Sequence, residues 1–103
     1  EIVLFPFPYT DLSNRKLRPC LILSDEMNDD IILCQITSKQ IQSDKFSLEL
    51  EKTETEEGSL VIDSYIRTNM LFTAAKNQIQ RKVCKISGKK YKSVVDTIYK
   101  IIS

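Results

Sequence analysis

Pro19-Cys20-Leu21-Ile22-Leu23-Ser24, a polar link Asp25-Glu26-Met27-Asn28-Asp29-Asp30, and then Ile31-Ile32-Leu33-Cys34-Gln35-Ile36-Thr37 form the stretch that decides the fold. Two short apolar runs rich in β-branched residues, parted by a cluster of turn formers, read as a β-hairpin. Pro19 is tolerable only at the start of its strand, because it has no N–H to give to a ladder. The hairpin's open end then carries Arg18 on one side and Thr37 and Ser38 on the other.

Upstream, Ile2–Phe5 reads as a strand, while Pro6 and Pro8 argue against a central strand and for an extended or turning path through Thr10–Asn14. Downstream, Ser38–Asp44 is a polar loop, and Phe46-Ser47-Leu48-Glu49-Leu50 alternates as a half-buried strand does. Glu51–Gly58 concentrates like charges and reads as an exposed, mobile loop. Leu60–Ile62 and Tyr65–Thr68 continue the strand pattern, Met70–Gln80 reads as a strand followed by a helical turn, and Arg81–Ser87 alternates again. The period then changes. Tyr91, Val94, Val95, Ile98, Ile101 and Ile102 fall on the stripe of an amphipathic helix, with Ser87 as its N-cap, and the stripe is expected to pack on the sheet. The expected architecture is mainly β: one domain over 1–103, a strongly bent antiparallel sheet or barrel closed by a C-terminal helix.

Composition narrows the function. The 103 residues are 42% hydrophobic and 28% charged, which fits a soluble folded domain and no disordered or collagen-like chain. No apolar run approaches the roughly 20 residues of a membrane span. Glu1-Ile2-Val3-Leu4 lacks the basic start of a signal peptide, and its abrupt apolar opening suggests that a residue or two precedes Glu1. Cys20, Cys34 and Cys84 are odd in number and widely spaced, in a chain without histidine. They read as buried thiols of a cytoplasmic protein, with neither a disulfide framework nor a metal site. No cofactor is expected, since Gly58 and Gly88 alone cannot build a nucleotide-binding glycine loop. Charge is uneven: residues 1–63 hold 6 Lys/Arg against 13 Asp/Glu, and residues 64–103 hold 9 against one, Asp96. The basic second part hints at an anionic partner. Without histidine, acid–base work falls to other groups or to water, and the polar set at the hairpin's open end stands out. A guanidinium from Arg18 beside the hydroxyls of Thr37 and Ser38 suits a phosphate or carboxylate.

Ile2-Val3-Leu4-Phe5-Pro6-Phe7-Pro8-Tyr9-Thr10-Asp11, then Arg18-Pro19, Ile36-Thr37-Ser38 and Ile66-Arg67-Thr68, taken in that order, resemble the PemK/MazF-like toxin family. The resemblance spans essentially the whole chain. It implies an SH3-like barrel of the CcdB/MazF type with an added helix, assembled as a homodimer. It implies a toxin that cleaves single-stranded RNA without a metal, leaving 2′,3′-cyclic phosphate and 5′-hydroxyl ends, and that a cognate antitoxin restrains. The family's catalytic Arg and Thr fall on Arg18 and Thr37, the two residues that the hairpin already singles out. The resemblance also points to Arg67 as a phosphate-contacting or supporting residue and to the loop Asn14-Arg15-Lys16 as RNA-contacting, though that loop is short and lacks the glycines of many members. Two rival functions stay open. A CcdB-like gyrase poison would carry a C-terminal Trp-Gly-Ile element, whereas this chain ends Tyr99-Lys100-Ile101-Ile102-Ser103. A catalytically silent, partner-binding barrel would have no need of Arg18 and Thr37.

Overall fold

The computed structural model describes residues 1–8, 15–24, 27–38, 46–60 and 62–103. Among them the strands are β1 (Ile2–Pro8), β2 (Arg15–Ile22), β3 (Asp30–Thr37), β4 (Ser47–Leu50), β5 (Thr55–Glu56), β6 (Ser64–Ala75) and β7 (Arg81–Ile86), followed by helix α1 (Gly88–Ile102). They pair antiparallel in the order β4-β6-β3-β2-β1-β7-β5, a sheet curled into a half-barrel. No helix is long and apolar enough to cross a membrane among the described residues.

The β2–β3 hairpin forms as expected, with Cys20 opposite Gln35, Leu21 opposite Cys34 and Ile22 opposite Leu33. Met27 and Asp30 exchange backbone hydrogen bonds of 2.8 and 3.1 Å at its tip. Asn28 there takes φ 62°, a left-handed conformation that asparagine tolerates better than most residues. Asp25 and Glu26 lie outside the described residues.

β1 runs on past Phe5 through both prolines, which take the extended of the two paths expected and are not in a central stretch of the sheet. It pairs with β2 along its whole length, from Ile2–Leu21 to Pro8–Arg15, but with β7 only over Ile2–Leu4. The carbonyl of Leu4 accepts from the Gln80 N–H, so the even-numbered residues of β1 turn their polar backbone groups away from β2. The nitrogens of Pro6 and Pro8 therefore face the side where β7 has stopped, and no ladder bond is lost. Arg15 and Lys16 consequently belong to β2, opposite Pro8 and Phe7, and not to the connecting loop. Asn14 and the path through Thr10–Asn14 lie outside the described residues, as does most of the polar loop at 38–44.

β6 supplies the bend. Cys34 stands opposite Leu71 and Ile36 opposite Ile66, so residues 67–70 bulge out against Gln35 alone. Thr68 is buried in that bulge, its hydroxyl donating to the Phe46 carbonyl, and the Cys34 thiol donates to the Arg67 carbonyl at 2.9 Å. The strand and helical turn read in 70–80 are present as the second half of β6 and a single 3₁₀ turn, Lys76–Gln78. Two further expectations need correction. Leu60 and Ile62 lie outside any strand. Gly58, at φ 126°, approaches β7 so closely that a Cβ would stand 2.2 Å from the Val83 carbonyl oxygen, and the chain leaves β7 there. The acidic segment 51–58 is also built, not a bare loop. Glu54 accepts from the Glu51 N–H at 2.9 Å, Lys90 Nζ lies 3.1 Å from the Glu54 carboxylate, and Thr55–Glu56 pair with Ile86 and Lys85. Lysines brought from β7 and α1 offset the repulsion that the sequence alone shows.

Both faces of the sheet carry a core. Ile2, Leu21, Cys34, Ile36 and Ile66 pack under Val94 of the helix, while Val3, Phe5, Cys20, Leu33 and Ala74 pack on the opposite face. Burial on two faces is why β2 and β3 read as unbroken apolar runs and do not alternate. The three thiols are buried, and burial pushes those of Cys20 and Cys34 up to about 12. Ser87 caps α1, its hydroxyl accepting from the Lys90 N–H at 3.1 Å. The apolar stripe is only partly used: Tyr91, Val94 and Ile98 pack on the core, but Val95, Ile101 and Ile102 stay exposed. A straight helix meets a curled sheet along a line, and the flanks of a wide stripe do not reach it.

Candidate functional site

The β2–β3 ladder is closed from Ile22 back to Cys20 and opens at Pro19. The Leu23 N–H donates to the Ile32 carbonyl at 2.9 Å, so odd-numbered residues of β2 direct their nitrogens at β3. At Pro19 that nitrogen carries no hydrogen, the next rung is missing, and the strands part. Leu17-Arg18-Pro19 becomes one lip. Ile36-Thr37-Ser38 becomes the other, with Ile36 and Thr37 kept on β6 by pairing with Ile66 and Tyr65.

All six of these residues line one groove of about 550 Å³. Leu4 and Leu60 add apolar surface, Ser59 and Ser64 add hydroxyls, and Arg81 of β7 adds a second guanidinium. No Asp or Glu is among the described residues that line it. Carrying the register two positions past Cys20–Gln35 sets Arg18 opposite Thr37 on the same face of the sheet. Both are half-buried, which restricts their side chains without removing them from solvent. A guanidinium and a hydroxyl across a narrow opening can donate several hydrogen bonds to one tetrahedral anion.

The residues singled out in the sequence thus divide. Arg18, Thr37 and Ser38 come together in the groove. Arg67 does not line it; it lies in the bulge of β6, next to the strand that carries Thr37, and its Nε is buried. Arg15 and Lys16 lie at the start of β2, leading toward the Arg18 lip, and Asn14 lies outside the described residues. Arg81 was missed. It reaches the groove through the pairing of Leu4 with Arg81, a contact between distant parts of the chain that no local spacing announces. Among the described residues no three His, Cys, Asp or Glu side chains stand close enough to hold a metal ion.

Comparison with known proteins agrees with the fold. A family described as PemK-like, MazF-like toxin of type II toxin-antitoxin system matches residues 1–102. No curated protein matches the chain by sequence. Among solved structures, the Mycobacterium tuberculosis toxin MazF-mt6 is similar over 97% of this chain and 95% of that one, with 13% identity and a TM-score of 0.71. A second toxin, from Mtb, is similar over 97% of this chain and 98% of its own, at 12% identity and a TM-score of 0.72. An endoribonuclease in complex with its cognate antitoxin, from a mycobacterial species, is similar over 98% and 89%, at 10% identity and a TM-score of 0.70.

Proposed function

The chain belongs to the PemK-like, MazF-like toxins of type II toxin–antitoxin systems, and from that premise we propose that it is an endoribonuclease that cuts single-stranded RNA, such as mRNA, without a metal ion. Toxins of this family are endoribonucleases. The observation that carries the reading for this chain is the position of Arg18 and Thr37 on opposite lips of one groove, where Pro19 opens the ladder.

The chemistry needs little more from the protein. The ribose 2′-oxygen attacks the adjacent phosphorus and the bond from phosphorus to the 5′-oxygen breaks. The products are a 2′,3′-cyclic phosphate and a 5′-hydroxyl. Charge gathers on the non-bridging oxygens, where fixed donors contribute most. Arg18 offers them a planar fork and Thr37 a hydroxyl. In this reading the part of Arg18 is charge stabilisation. Water takes the 2′-hydroxyl proton and supplies one to the leaving oxygen, while the groove holds the 2′-oxygen in line. Ser38 contributes a substrate contact from its lip; Asn14, Arg15 and Lys16, which precede the other lip in sequence, are given substrate contacts by the family resemblance, and Arg67 supports the strand that carries Thr37. The toxin works in the cytoplasm as a homodimer and is restrained by a cognate antitoxin, as the similarity to an antitoxin-bound endoribonuclease supports.

The test is incubation with a long defined RNA in EDTA, with mapping of cut sites and end groups. Cyclic phosphate and 5′-hydroxyl ends are expected. Cutting that requires magnesium or manganese, or products with 5′-phosphates, would overturn the mechanism.

A further inference from the structure

β7 carries three cations in its first five residues, and they are used differently. Lys82 pairs with Glu1 at 3.2 Å and Lys85 pairs with Glu57 at 3.3 Å. Arg81 has no ion pair among the described residues, is exposed, and lines the groove that holds Arg18 and Thr37. With no carboxylate in the described lining, its charge stays available to a ligand. Leu4 places it: Leu4 pairs with Pro19 of β2 on one side and with Arg81 of β7 on the other. Two strand spacings separate the backbones, about 10 Å. Gly58 holds the segment 58–60 on the backbone of Val83, so that Ser59 and Leu60 wall the groove beside Arg81.

A single tetrahedral anion does not need two guanidinium groups set this far apart on one groove. A chain with a negative charge on every nucleotide does. We infer that Arg81 holds an RNA phosphate next to the scissile one, so that it positions the strand across the apolar lining of Leu4 and takes no part in the bond-breaking step. This rests on the RNA-cleaving reading above and extends it to the polarity of the groove: Arg18 and Thr37 at the reacting end, Arg81 at the anchoring end.

The experiment uses the full chain and two forms of one short single-stranded RNA containing the mapped cut site. One form is cleavable, and the other carries a 2′-deoxy sugar at that site and cannot react. For Arg81→Ala, KM should rise about tenfold with kcat within about twofold of wild type, the signature of lost binding shared by ground and transition states. Binding of the unreactive strand should weaken by a similar factor, and its log–log salt slope should fall by about 0.7. Arg81→Lys should recover most of the salt slope, since a phosphate contact of this kind needs charge more than the fork. Unchanged affinity and salt slope in Arg81→Ala would overturn the inference while leaving wild-type cleavage intact. So would a fall in kcat at constant KM, which would make Arg81 part of the reacting site. Weakened binding of a polyglutamate peptide with RNA binding unaffected would overturn it too, assigning Arg81 to an acidic protein partner. Wild-type protein that neither binds nor cuts the RNA would defeat the parent reading, and this inference with it.

Discussion

The two ends of the β2–β3 hairpin are made of similar residues and behave differently. At the closed end, Leu21, Ile22, Leu33 and Cys34 sit in an unbroken ladder, and the Tyr91 hydroxyl donates to the Leu23 carbonyl at 2.7 Å under the cover of the helix. At the open end one proline removes one donor, the strands part, and a groove admits solvent to Arg18 and Thr37. The difference teaches that one supersecondary unit holds both a packed ladder and the groove proposed for chemistry, on different residues. The helix and the ladder pay for the opening. Substitutions at the two ends should therefore separate activity from folding.

The largest expected effect belongs to the open end. On the proposed mechanism Arg18→Ala removes a charge-assisted fork from the developing charge, and should lower the cleavage rate by about 10²–10³. Thr37→Ala should cost no more than that, since it deletes a neutral hydroxyl, and Thr37→Ser should retain more activity. Arg18→Lys keeps the charge but not the fork and should not restore the full rate. If both groups act on one transition state, as proposed, the double substitution should lose less than the product of the single losses. Single-turnover cleavage of a defined RNA, with circular dichroism to show folding, measures all of these. A folded Arg18→Ala protein that cuts at the wild-type rate would erase the distinction between the ends.

The closed end should show the reverse. Val94 is fully buried between helix and sheet, and Val94→Ala should cost about 2 kcal/mol through lost apolar burial and the cavity left behind. The rate of the remaining folded protein should change little. Urea titration and activity on the same samples decide it, and a variant that loses rate and keeps stability would show that the helix reaches the groove.

The legible part of this molecule was the part written in neighbouring residues. The hairpin, the helix with its Ser87 cap, and Arg18 beside Thr37 all follow from local runs or from one pairing across a short turn. What stayed hidden depends on distant partners. Pro6 and Pro8 are harmless only because β7 stops at Leu4, Glu51–Glu57 is ordered by lysines from β7 and α1, and Arg81 enters the groove through Leu4. Leu60 is buried yet outside any strand, because the close approach of Gly58 to Val83 redirects the chain. Nothing within a few residues of these positions carries that information.

A smaller effect sharpens the closed end. Tyr91→Phe removes the hydroxyl that satisfies the Leu23 carbonyl while leaving the ring in place. It should lower stability by about 1 kcal/mol, the net value of one hydrogen bond, with cleavage unchanged. A loss as large as that of Val94→Ala would mean that the ring itself moves.

The smallest effect lies where the acidic segment meets the helix, and pH exposes it. The Glu54 carboxyl is held below the usual carboxylate range, first by the hydrogen bond from the Glu51 N–H and then by Lys90, whose ammonium lies 3.1 Å away. A carboxylate with a depressed folded pKa stabilises the fold above its unfolded pKa, near 4.5, and loses that contribution as pH falls through the folded value. The pair is partly exposed, so solvent and salt screen it and the contribution is modest. Glu54→Gln should therefore be slightly less stable than wild type at pH 7, by less than Tyr91→Phe. The two proteins should converge as the buffer is taken below the carboxylate range, and added salt should narrow the gap at neutral pH without closing it, because the Glu51 N–H contact is not an ion pair. Urea midpoints measured across pH and salt check this. A difference that persists unchanged in acid would show that Glu54 acts there through its shape and not its charge.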